Sequence, residues 1–337
     1  MGPEHVLYGV IGGALVLYAV LGGADFGVGV WEFNLRFRMT REDRELSEHA
    51  MGPVWETNHV WLIFAIILMF SAFPIAFAAI CRALWIPLLL ALAGIVFRGS
   101  SFAFRHYAVD SEKQRVAWGI LFAIASTFTP FFLGVSAGAI ASGRLAVTES
   151  GEFTGNLLTG WVSFLSIYSG FFTVGLCAYL AAVYLTRDAS REFGSELAAV
   201  WRRRALLTGI VVGAMAVGGL AVVGIDSPDL GRAMASKSWS LVAMSVAAGT
   251  FSLWALARNR FTASAVGAVL AVASIVAGWA VAQYPMLVPP VISIESAKAP
   301  DGVLRLFVWV ILIGAAFLGP SLAYLFYVFK GGAPKQS

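Results

Sequence analysis

The sequence predicts an all-α integral membrane protein with nine transmembrane helices, and three observations carry that expectation. Of 337 residues, 59% are hydrophobic and only 12% charged, about half the charge of a soluble domain. Nine windows are long and apolar enough for a helix to cross about 30 Å of hydrocarbon. These runs far exceed the roughly ten-residue alternating segments of a membrane β-barrel. Disorder and disulfide scaffolds are excluded as well, because charge is sparse and there are two cysteines.

In chain order the spans fall at about 6–30, 59–80, 83–104, 117–142, 161–186, 204–225, 237–257, 263–283 and 305–329. No lysine or arginine precedes the first run, so it reads as a retained span and not a signal peptide. Thr40–Glu48 is the most soluble stretch and joins the first two spans. A polar loop lies at 148–160. Between the last two spans, Pro285, Pro289, Pro290 and Pro300 predict an extended segment. No long linker or internal repeat divides the chain, so residues 1–337 read as one integral domain.

Charge sets the expected orientation. The side opposite the N-terminus holds most of the 23 lysines and arginines, including Arg36, Arg38, Arg41, Arg44, Arg187, Arg191 and the run Arg202–Arg204. The positive-inside rule then places the N-terminus outside and the C-terminus in the cytoplasm. The net charge of +4 reads as a topogenic and lipid-facing signal, with no nucleic-acid partner implied. Cys81 and Cys177 have no metal or redox spacing and read as packing residues.

An ionisable group within hydrocarbon is a functional candidate, since insertion costs roughly 2.5–3.5 kcal/mol. Leu21–Trp31, LGGADFGVGVW, holds Asp25 on a face shared with Tyr18, Gly22 and Gly29. Asp25 is either a proton carrier or a buried acid paired to an arginine. The second span opens as GPVWETNHVWL at Gly52–Leu62, with Pro53 suited to a first helical position. Glu56 either complements the helix dipole or, with His59 three residues on, takes up protons at a membrane boundary. Trp55 and Asn58 share that polar, aromatic turn. Arg98 and Arg105, two turns apart in FRGSSFAFR, either anchor lipid phosphates or neutralise buried acids or a cofactor propionate. His5, His49, His59 and His106 are the only histidines. None lies mid-span, so no haem held wholly by this chain and no metal site are expected.

These segments, in this order, resemble subunit II of the cytochrome bd oxidase family. Gly22–Gly29 (GGADFGVG) is similar to the family's DGFDLGVG. Pro53–Leu62 matches its PVWD-x-N-x-x-WL turn, Phe73-Pro74 its FP, and Arg98–Arg105 its RG-x-x-F-x-FR ending. Pro130–Gly134, Tyr284-Pro285 and Gly319–Tyr324 match later elements, so the likeness covers essentially the whole chain. Gly22 replaces one acid, Glu56 stands for an aspartate, and Ala103 for another acid, which marks a divergent branch.

The resemblance implies two four-helix bundles plus one peripheral helix, paired with a subunit I in a bacterial inner membrane. It implies reduction of dioxygen to water with quinol electrons, with haem b and haem d ligated by subunit I. Asp25, Glu56 and His59 would then deliver protons from the cytoplasm. Trp55, Asn58, Arg98 and Arg105 would make haem-side, quinone or lipid contacts, and small accessory subunits could attend. Two alternatives stand beside it: a bd-like subunit with a non-quinol donor, and an ion-coupled transporter using Asp25 and Glu56. Against the transporter, spans five to eight carry no Asp or Glu in their interiors, whereas transporters place sites at matching positions of two repeats.

Overall fold

A computed structural model describes residues 2–35, 39–51, 55–107, 112–156 and 158–330. Side chains are described for all of these except 51, 55–57, 106, 107, 112, 322, 323 and 325–330.

Long apolar helices dominate because backbone polar groups in hydrocarbon must be satisfied within the segment. The first, α1, spans Pro3–Leu35, about 50 Å at 1.5 Å per residue. It is followed by α2 (Arg41–Met51), α3 (Trp55–Ala72), α4 (Pro74–Ala83), α5 (Trp85–Tyr107) and α6 (Glu112–Ala141). Next come α7 (Phe164–Asp188), α8 (Ser195–Asp226), α9 (Pro228–Ser236), α10 (Trp239–Ala257) and α11 (Phe261–Gln283). Two short strands, β1 (Met286–Val288) and β2 (Ile292–Ser293), pair antiparallel before α12 (Ile294–Ala297) and α13 (Asp301–Lys330).

Among the described residues, eight helices are long and apolar enough to cross a membrane, and the pair α3–α4 makes a ninth if taken as one bent span. The span expected over 59–80 is bent. It breaks at Phe73-Pro74, where the chain turns by 117°. Pro74 has no N–H to continue the ladder and pushes Phe73 out of the helical region, to φ −134° and ψ 59°. Pro74 then opens α4, where its missing donor costs nothing. Phe73 is fully buried at the break.

The soluble stretch after α1 is a helix as well. In α2, Leu46 and Asp43 turn inward while its charged face stays exposed, and Asp43 binds Arg204 of α8 at 2.9 Å. The proline-rich segment after α11 is extended through β1 and β2, as expected. It then closes into α12 through a Ser293 capping box.

α1 packs on α3 and α6, and α5 lies against α6; α7, α8, α10 and α11 pack among themselves. α1 also contacts α7 and α11, and α6 contacts α7, so α1 and α6 together form the seam between these groups. Two apolar clusters mark opposite ends of the bundle. One joins Leu7, Phe73, Leu145, Val288 and Leu304; the other joins Leu46, Phe122, Leu185, Trp201 and Leu256. The second lies at the arginine-rich end. α13 leans on α1 and α3 and is almost uncovered by the rest of the chain.

Candidate functional site

The inner half of α1 is glycine-rich because two helices approach its backbone. A Cβ on Gly27 would run into the Cys177 carbonyl of α7, and one on Gly29 into the Ser126 side chain of α6. α1 is thus gripped from two sides, which leaves Asp25 turned toward α3. There Asn58 Nδ2 donates a hydrogen bond to Asp25 Oδ2. The two motif segments singled out in the sequence meet through this bond.

His59 lies beside this bond among aromatic rings. Its ring centroid is 5.7 Å from Phe26 and 5.9 Å from Tyr18. Among the described residues no hydrogen-bond partner faces its Nδ1. The helix of Glu56 and Trp55 is described, but their side chains lie outside the described residues, so the expected Glu56–His59 meeting has no geometry to report. Gly22 faces the Tyr18 ring: a Cβ there would sit 3.0 Å from it. Tyr18 fills the space that a larger side chain at this position would need.

Arg98 is only 1% exposed, so within this chain it is closed off from lipid headgroups. Its guanidinium stands 4.9 Å from the Phe26 ring centroid and 5.3 Å from that of Phe122. Such contacts favour a desolvated cation. It also lies within electrostatic reach of Asp25, Tyr18 and Glu32. This places a desolvated cation beside the acids of α1.

Glu32 is the residue that sequence reasoning missed. It is 6% exposed and accepts from Arg105 Nη1 at 2.8 Å, while Arg105 Nη2 reaches Glu48 of α2 at 2.9 Å. Arg105 is therefore turned onto acids of α1 and α2. The available signal was the spacing: Glu32 follows Asp25 by seven residues, on the same face two turns along. Trp31 Nε1 donates to the Ala178 carbonyl at 2.9 Å and ties the same turn to α7.

The cavity enclosed between α1 and the later helices does not suit haem. A cavity of about 340 Å³ opens between α1, α6, α7, α8, α10 and α11. No histidine, lysine or arginine lines it, so it has neither an imidazole axial ligand nor a cation for a propionate. His59, the histidine nearest the acids, is packed between protein rings.

A multi-pass helical membrane protein with a half-buried acid–amide pair beside a buried arginine near its basic end is thus defined. Residues 3–329 match the family model described as cytochrome bd terminal oxidase subunit II, and the chain belongs to that family. It is 29% identical over 203 residues to cytochrome bd-I ubiquinol oxidase subunit 2 of Escherichia coli, covering 59% of this chain and 52% of the relative. It is 33% identical over 137 residues to cytochrome bd ubiquinol oxidase subunit 2 of Bacillus subtilis, covering 40% and 39%. These alignments span about half or less of the curated relatives. The fold is similar to that of a chain of the bd oxidase from Geobacillus thermodenitrificans, with TM-score 0.81 and 20% identity, covering 99% of this chain and 100% of that one.

Proposed function

We propose that this chain is the second subunit of an oxidase that reduces dioxygen to water with electrons from quinol, in a bacterial plasma membrane. The observation that carries the proposal is the Asn58–Asp25 bond. It joins two segments on which the resemblance to the family rests, through the asparagine of PVW-x-x-N-x-x-WL and the aspartate of GGADFGVG.

A haem-bearing subunit I is the partner that membership of this family implies. Its b- and d-type haems supply electron transfer and oxygen binding. Each electron that reaches dioxygen needs a proton, and this chain's part is to pass protons toward the partner. Glu56 and His59 sit at the start of α3, and Asn58 between them fixes the Asp25 carboxylate in the seam. Arg98 keeps a positive charge between Asp25 and Glu32, which stand about 10 Å apart along α1. A cation there opposes proton passage from Glu32 to Asp25, which favours entry along α3. The arginine-rich end faces the cytoplasm and the N-terminus lies outside, consistent with the positive-inside rule.

The test is a mild-detergent purification of the tagged chain from its native host, followed by a reduced-minus-oxidised spectrum. A second multi-pass chain of similar size carrying b- and d-type haem bands is expected, with oxygen consumption on adding quinol. A colourless single chain that carries ions across vesicles would overturn the proposal in favour of a transporter.

A further inference from the structure

A second cluster of ionisable groups lies at the opposite end of α1, away from the arginine-rich face. Glu4 and His5 stand in its first turn, and Glu295 comes from α12, about 290 residues further on. One ligand atom from each lies within 4.8 Å of the other two. Sequence spacing could not show this, because the hairpin of β1 and β2 is what brings α12 back over α1.

The geometry points to a divalent-cation site, of zinc type, held by Glu4, His5 and Glu295. Three observations support it. The Glu4 side chain is only 7% exposed, and a buried carboxylate needs a compensating cation. His5 Nε2 faces Glu4 Oε1 at 3.5 Å, and no hydrogen bond joins them among the described residues. That separation matches the edge of a tetrahedron built from Zn–N and Zn–O bonds near 2.1 Å, which is about 3.4 Å. The far side of the same ring is already oriented: Tyr284 Oη lies 3.1 Å from His5 Nδ1. An outer partner on the other ring nitrogen is a recurring feature of metal-bound histidine, since it fixes the tautomer that leaves Nε2 free to ligate.

Charge agrees with this. Lys298 is paired to Glu295 at 2.9 Å and lies 4.0 Å from Asp301. With neutral His5, the acids Glu4, Glu295 and Asp301 against Lys298 leave two negative charges, which one divalent cation cancels. Binding would release Glu295 from Lys298, and the ammonium has Asp301 to turn to. The mixed nitrogen and oxygen donors suit zinc better than calcium or magnesium, which take oxygen ligands.

The experiment loads the detergent-purified protein, with whatever partner chain it brings, with zinc chloride after chelator treatment. Free metal is removed by gel filtration, and zinc per protein is measured by elemental mass spectrometry. The wild type is expected to keep one zinc that His5→Gln and Glu295→Gln both lose. Tyr284→Phe should bind it about 10–100-fold more weakly. Glu149→Gln, an exposed acid on a loop outside the cluster, should bind as the wild type does. Glu295 is 62% exposed at its side chain, so its variant tests the site even if His5→Gln fails to fold. A wild type that keeps no zinc overturns the inference, as does a Glu295→Gln protein that keeps as much as the wild type.

Discussion

Arg105→Gln tests the ion pairs that tie α5 to α1 and α2. Arg105 holds two acids at nearly equal distance, Glu32 at 2.8 Å and Glu48 at 2.9 Å. Distance alone would weigh them equally, but burial does not. Glu32 is 7% exposed at its side chain and Glu48 59%. An exposed pair contributes about 0–1 kcal/mol, whereas removing one partner of a buried pair costs about 3–5 kcal/mol. Arg105→Gln, which strands Glu32, is therefore expected to cost about 3 kcal/mol. Glu48→Gln should cost less than about 1 kcal/mol. Glu32→Gln should fall between them, because Arg105 keeps Glu48. Reversible unfolding in mixed detergent micelles, followed by tryptophan fluorescence, gives these values. The double variant Glu32→Gln with Arg105→Gln should cost less than the sum of the singles by about 0.5–3 kcal/mol. Equal costs for Arg105→Gln and Glu48→Gln, or strictly additive singles, would refute the reasoning.

Two further substitutions read the packing of α1. Gly27→Ala drives a methyl into the Cys177 carbonyl and should destabilise by about 1–3 kcal/mol; Gly13→Ala meets nothing within 4 Å and should gain up to about 1 kcal/mol, both by the same unfolding assay. Tyr18→Phe removes a buried hydroxyl that has no hydrogen-bond partner among the described residues, so stability should hold or rise by about 1 kcal/mol. Gly22→Asp alone should lower the yield of folded protein through its clash with the Tyr18 ring, and Tyr18→Ala should restore it.

The helices were legible because composition and run length act locally. Eight helices overlap the windows drawn from the sequence, most ends within a few residues, although α8 begins nine residues before its window of 204–225. The bend in the remaining one was also written in the chain, as Phe73-Pro74, but an apolar run hides it: Phe73 is as hydrophobic as its neighbours. Asp25, Asn58 and His59 could be singled out because polar groups stand out against hydrocarbon. Which groups pair across the bundle could not. Glu32 meets Arg105 across 73 positions, and α2 finds Arg204 from 161 positions away. Arg98 and Arg105 share a helix face, and only their depth separates them: one sits between aromatic rings, the other at the rim. Depth is a property of the assembled bundle and not of spacing along one helix.

The proton role of the α1–α3 seam is the central claim. It is tested most directly by oxygen consumption of the purified complex carrying Asp25→Asn or Glu56→Gln, at haem content equal to the wild type. Positioned proton transfer contributes about 10²–10⁴-fold to rate, so each variant is expected to slow turnover about tenfold or more. Full haem content with an unchanged rate in both variants would contradict the account.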